Sequence, residues 1–346
     1  CQADRFGYKK NSGGVEASVR LNSSNKVALG ADLTASDRNR PDLPRTIDRK
    51  YSAEWKNSTF EMLDTRVKYQ YLERRSLFIE ATGIDSFVRR FDLANNNQHL
   101  AKVGLDISPL PLLDFGVEAI YKHNNYKDTP LGRQSDERQE YYASVSYGDA
   151  ERFRVTLFGD LELTQMDSLH KYCQATGVGS DCTPGIAAGA PVATTTPASS
   201  SYNWSAKNLD RSYQVGLGAD WLPTPKWKFN SSLVYAKTNG TTDFAAQSDA
   251  RIIRNTANSV ALLFPIQNFD NTTRTTFNLK GTYKVSRTWD LTGGYAFERY
   301  RYSDIGFDGF SYMVSPATTQ ASYLTGAGAL QNYTAQMVYM IGTFKF

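Results

Sequence analysis

Few residues of this chain have the types and spacing that chemistry needs. Three histidines, His99, His123 and His170, could ligate a haem iron or another metal. Three cysteines, Cys1, Cys173 and Cys182, could hold a metal, act as nucleophiles or pair as a disulfide. Their arrangement argues against most of these roles. No CxxC or CxxCH occurs, so the chain has neither a zinc knuckle nor an attachment site for c-type haem. Each histidine stands by itself, near a strand end or in a polar connection, and reads as solvated surface. GxSxG, HExxH, P-loop and strand–helix GxGxxG patterns are missing too. The expectation is a non-enzymatic chain with no catalytic, cofactor-binding or metal-binding residues of its own.

A second set of polar residues is more orderly. Glu16, Arg20, Asp64, Arg66, Lys68, Lys102, Asp106, Glu118, Arg152, Arg154, Lys280 and Glu298 fall between apolar neighbours in alternating stretches. Of these, Arg66, Lys68, Lys102, Arg152, Arg154 and Glu298 are the candidate contacts for a partner inside a lumen. Mixed signs suit either a protein plug or a hydrated pore. Charge buried against a plug must be paired or kept wet.

The elements that carry these residues repeat with period two. Val15, Ala17 and Val19 alternate with Glu16, Ser18 and Arg20; Val27, Leu29, Ala31 and Leu33 follow after Asn22-Ser23-Ser24-Asn25. The same pattern recurs at Leu63–Tyr71, Val103–Ile107, Phe115–Tyr121, Tyr141–Tyr147, Phe153–Leu161, Tyr213–Trp221, Trp227–Tyr235, Phe277–Tyr283, Trp289–Phe297 and Val338–Phe346. Successive side chains of a strand point to opposite faces, so each segment has one apolar and one polar face. About 13 strands of roughly 9–12 residues result, a length that fits a tilted bilayer crossing. Short turns are expected near 22–26, 56–59, 108–113, 147–152, 221–226 and 285–288. Long polar connections are expected near 35–49, 73–97, 123–138, 164–210, 238–272 and 302–332.

Composition narrows the class. The 346 residues are 40% hydrophobic and 21% charged, with mean hydropathy −0.48. No run approaches the roughly 18 apolar residues of a spanning helix, so a membrane crossing has to be made by strands. Aromatics reach 13%, with 21 Tyr and 18 Phe. Net charge is +4, which gives no sign of a nucleic-acid partner. Trp55, Trp221, Trp227 and Trp289 all lie beside short turns in phase with the apolar face, as an interfacial aromatic girdle does. The fold class is therefore an all-β, antiparallel up-and-down transmembrane barrel of residues 1–346, placed in the outer membrane of a Gram-negative cell. Its long 164–210 loop lies outside. There, Cys173 and Cys182 are expected to pair as a disulfide, the alternative being two unrelated thiols. An odd strand count puts the two chain ends on opposite sides. Either residues 4–10 add a fourteenth strand, or the chain is the C-terminal part of a longer barrel. The second is preferred, since residues 1–13 read as the end of a loop.

Several passages resemble the MtrB/PioB family of decahaem-cytochrome-associated outer-membrane barrels. They are Tyr69-Gln70-Tyr71-Leu72-Glu73-Arg74-Arg75-Ser76, Arg89-Arg90-Phe91-Asp92-Leu93-Ala94-Asn95, Gly294-Tyr295-Ala296-Phe297-Glu298-Arg299-Tyr300 running into Asp304-Ile305-Gly306-Phe307-Asp308-Gly309, and Thr334-Ala335-Gln336-Met337-Val338-Tyr339 before Gly342-Thr343-Phe344-Lys345-Phe346. The likeness covers most of the chain outside the Ala/Thr/Pro-rich 183–201 segment. It implies a barrel of about 26 strands, of which thirteen are half, acting as an insulating sheath that holds a periplasmic multihaem c-type cytochrome in its lumen and often docks an extracellular multihaem cytochrome. Haem then belongs to the partner, outer-membrane lipid surrounds the barrel, and electrons cross to or from the outside. The reading that needs no partner is a porin or substrate-specific diffusion channel.

Overall fold

The computed structural model describes residues 7–39, 43–77, 91–129, 131–149, 151–170, 175–176, 179–180, 204–246, 263–305 and 332–345. The elements are β1 (Tyr8–Arg20), β2 (Asn25–Arg38), β3 (Arg45–Phe60), β4 (Leu63–Leu77), β5 (Asn95–Leu110), β6 (Leu113–Lys127), β7 (Gly132–Asp149) and β8 (Phe153–His170). They continue as β9 (Ala175–Thr176), β10 (Gly179–Ser180), β11 (Trp204–Thr224), β12 (Trp227–Ala246), β13 (Leu263–Ile266), β14 (Asn271–Lys284), β15 (Trp289–Ser303) and β16 (Tyr333–Phe344). Thirteen long strands pair antiparallel, each with its neighbour in sequence, in one up-and-down sheet ordered β1 to β8, then β11, β12, β14, β15, β16. The short β13 adds to β12, and β9 with β10 forms a two-residue ribbon. Among the described residues the expected count of thirteen is observed. Among the described residues β1 and β16 pair on one side only, so they are the two edges of the sheet.

Register sorts the side chains. Residues directly opposite in an antiparallel pair share a face. The row Leu157, Leu217, Leu233, Phe277, Phe297 runs across β8, β11, β12, β14 and β15 on one face. Val67, Val103, Ala119 and Tyr141 do the same across β4–β7. The apolar side chains are not covered by protein: Val15 is 76% exposed, Leu29 57% and Leu233 48%. No second layer packs there among the described residues. So large an exposed apolar surface is untenable in water and is what lipid covers. On β8 the apolar face runs from Phe153 to Leu161. Eight steps of roughly 3.4 Å at about 40° of tilt give a band about 21 Å high, close to the apolar band of an outer-membrane barrel.

The strands are longer than alternation suggested, 12 to 21 residues. β8 continues nine residues past Leu161 to His170, and β11 begins at Trp204, so strand replaces both flanks of the expected 164–210 connection. Two other connections shrink: β6 and β7 are joined by residues 128–131, and β2 and β3 by 39–44. Beyond the band both faces of a strand meet water, so alternation of polarity disappears while the backbone ladder continues. The end of β1 shows the same effect. Residues 8–14 are neither a loop nor a fourteenth strand but the first half of β1, paired from Tyr8 opposite Arg38.

Five of the expected short turns are found near their positions, and the sixth is shifted. β3 runs to Phe60 and turns at Glu61-Met62 rather than within 56–59. Ladder irregularities at Asn57/Phe60, Ile107/Leu110 and Trp221/Thr224 lie next to these turns, where bulges tighten the reversal. At the β7–β8 turn Gly148 has φ +105, and a Cβ there would lie 1.9 Å from the Phe153 carbonyl oxygen. Only glycine fits.

Candidate functional site

The face opposite the apolar band is a wall of paired charges. Lys50 Nζ lies 2.6 Å from Asp32, Arg66 Nη2 2.7 Å from Asp106, and Lys102 Nζ 2.7 Å from Glu118. Arg138 Nη2 bridges Glu140 at 2.7 Å and Glu162 at 2.9 Å. Arg154 Nη2 reaches over β7 to Asp114 at 3.5 Å. Near the long-connection end Arg74 grips Asp48 with two hydrogen bonds of 2.8 and 3.0 Å and donates a third to the Asp92 carbonyl. Most of these pairs are half-exposed, so each adds little stability alone. Where they form, these pairs leave the surface locally near neutral, which tolerates a protein laid against it better than isolated charges would.

Of the residues singled out as partner contacts, Arg66, Lys68, Lys102, Arg154 and Glu298 lie on this wall by register. Lys68 stands directly opposite Lys102, and Glu298 accepts a hydrogen bond from Tyr333 Oη. Arg152 is placed differently: it sits in the β7–β8 turn, where its carbonyl accepts from Leu222 N–H at 2.8 Å.

The four turn-side tryptophans share the apolar face. Trp55, Trp221, Trp227 and Trp289 are 39–50% exposed there. Trp227 stacks on Phe229 at 5.5 Å and tilts on Tyr283 at 4.7 Å; Trp289 contacts Phe344 at 5.2 Å. Trp55 Nε1 donates to Asn25 Oδ1 at 3.1 Å. Apolar rings with a polar edge at one rim are the arrangement a bilayer interface favours.

The histidines are not isolated. His99 and His123 are direct cross-strand neighbours on β5 and β6, with Tyr69 Oη 2.7 Å from His99 Nδ1. They are far apart in sequence, and only register joins them. His170 stacks on Trp204 at 5.3 Å with 9° between the rings, and Ser168 Oγ lies 2.8 Å from its Nε2. Among the described residues no group of three His, Cys, Asp or Glu is placed to hold a metal. Cys173 and Cys182 lie outside the described residues.

A single antiparallel sheet with one lipid-type face, a turn-side aromatic rim and one charged face defines an outer-membrane β-barrel protein. Two solved structures share the fold. The closed form of the ferric-catecholate import receptor Fiu from Escherichia coli K12 superposes with a TM-score of 0.59 at 7% identity, over 98% of this chain and 55% of that one. Its open form gives 0.55 at 8%, over 86% and 55%. Residues 2–346 match the family described as "Putative outer membrane beta-barrel porin, MtrB/PioB", and the chain belongs to that family. A curated relative, outer membrane protein MtrB of Shewanella baltica (strain OS185), is 27% identical over 138 residues. That alignment spans 38% of this chain and only 20% of the relative. The cell outer membrane is thus this protein's location.

Proposed function

We propose that this chain forms part of a non-catalytic sheath that holds a multihaem c-type cytochrome in its lumen, so that electrons cross the outer membrane. The observation that carries this reading is the self-paired wall of thirteen strands, in a chain of the MtrB/PioB family. The two sheet edges support it. Unpaired N–H and C=O groups in hydrocarbon cost several kcal/mol each, so β1 and β16 need further strands or each other. Thirteen strands closed on themselves, at about 4.8 Å spacing and 40° tilt, make a ring roughly 26 Å across. Inward side chains reduce that to about 15 Å, too narrow for a folded domain of about 30 Å. A ring of about 26 strands is roughly 52 Å across and leaves about 40 Å. On this reading the thirteen strands are about half the barrel, the short turns face the periplasm, and all haem is the partner's.

The test is electron transfer into sealed vesicles. The full-length barrel, purified with whatever it retains, is reconstituted around a trapped redox dye, and reductant is added outside. Reduction of the dye that requires the retained protein supports the sheath. Ion conductance in planar bilayers without dye reduction supports the second reading, a diffusion channel, for which the hydrated mixed charges are equally suited.

A further inference from the structure

The turn-side end of the polar wall carries an arrangement that fold stability does not explain. Arg20 stands opposite Lys26, Lys26 opposite Lys56, and Lys56 opposite Arg66, so four cations form one continuous row across β1–β4. Like charges directly opposite destabilise a sheet. Lys56 is held by Glu54 at 2.9 Å and Arg66 by Asp106, whereas Arg20 and Lys26 form no ion pair among the described residues. A second patch lies at the same end near the other edge. Lys228, Lys280 and Lys284, with Lys226 of the turn, line a cleft of about 220 Å3. Its one carboxylate, Asp290, is already engaged by Lys345 at 2.5 Å. Between the two patches lie Asp64, Asp106 and Asp114, of which Asp106 is held by Arg66 and Asp114 by Arg154.

We propose that these two basic patches are docking sites for acidic surface segments of the protein held in the lumen, and that they fix its position at the periplasmic mouth. This rests on the sheath reading above. Charge complementarity selects the occupant. Both patches lie on the wall face rather than the lipid face, and the cleft of the second is small enough for carboxylate side chains. Lysines without ion pairs supply long-range attraction and salt-sensitive affinity to an acidic partner.

The experiment uses the full-length barrel purified from outer membranes, in wild-type form and as the charge reversals Lys26→Glu/Lys56→Glu and Lys228→Glu/Lys280→Glu. Lys207→Glu, on the other face six residues beyond Tyr213 and so above the band, is the control. Heat-modifiable migration establishes that each variant folds. The haem-to-barrel ratio is then followed against sodium chloride, and lipid phosphate is measured in the same samples. Each reversal is expected to weaken haem-protein retention on the order of tenfold and to flatten its salt dependence, with the control unchanged. Folded reversal variants that keep wild-type retention and salt dependence overturn the proposal while leaving the sheath intact. Loss of lipid phosphate with haem unchanged assigns the patches to anionic lipid and overturns it too. A wild-type barrel that carries no haem protein removes the sheath reading and this inference with it.

Discussion

Leu217 and Ser232 sit at the same height of neighbouring strands and face opposite ways. Leu217 lies between Leu157 of β8 and Leu233 of β12 in the middle of the apolar band. Ser232 lies between Gly218 of β11 and Asn278 of β14 on the polar wall. Replacing each with arginine asks which face meets lipid. At the bilayer midplane an arginine on the lipid face costs about 2–4 kcal/mol. Leu217→Arg should therefore lower the folded-to-unfolded ratio roughly 30- to 800-fold. Ser232→Arg places its guanidinium among hydrated side chains, beside Gly218 and within a charged wall, and should change stability by less than about 0.5 kcal/mol. The assay is reversible denaturant unfolding of the barrel in phospholipid vesicles, followed by tryptophan fluorescence and gel migration. Equal costs at the two sites, or a larger cost at Ser232, refute the assignment of the faces.

Three further outcomes follow from particular contacts. Arg74→Ala strips the half-buried Asp48 of its two hydrogen bonds and should cost about 2–3 kcal/mol, with Arg74→Lys recovering only part; unchanged melting of both variants contradicts the bidentate contact. If Cys173 and Cys182 are paired, alkylation should label neither before reduction and both after it, and labelling without reductant rules the disulfide out. His170 lies beyond the apolar band, and burial holds its pKa below the ordinary 6.5. The folded state then binds fewer protons than the unfolded one just below that value, so acidification through this window weakens the fold at this end. The Trp204 fluorescence, isolated by difference against Trp204→Phe, should be quenched with a midpoint below 6.5; a midpoint at or above it refutes the burial.

What was legible in the sequence is what lipid writes into it. Where one side of a strand touches hydrocarbon and the other touches water, residues such as Leu157, Leu217 and Leu233 must alternate with polar ones, and strand number and facing follow. The turn-side placement of Trp55, Trp221, Trp227 and Trp289 was legible for the same reason, since all four lie in phase with the apolar face. Above the band the signal vanishes, because both faces of β7, β8 and β11 are hydrated there. Residues 164–170 and 204–210 consequently read as loop although their hydrogen-bond ladder continues. Pairings that depend on register were also hidden. His99 beside His123, and the row Arg20, Lys26, Lys56 and Arg66, become neighbours only when turn positions are known to the residue. The β3–β4 turn lies at Glu61-Met62 rather than within 56–59, an error large enough to lose that row.

The central claim is that a haem protein occupies the space this wall faces. Its most direct test is a visible absorption spectrum of the full-length barrel purified from outer membranes in mild detergent. A c-type haem band stoichiometric with the barrel is the predicted result, because this chain has no CxxCH and the haem must belong to a bound partner. A folded barrel with no haem absorbance, conducting ions freely in a planar bilayer, contradicts the account.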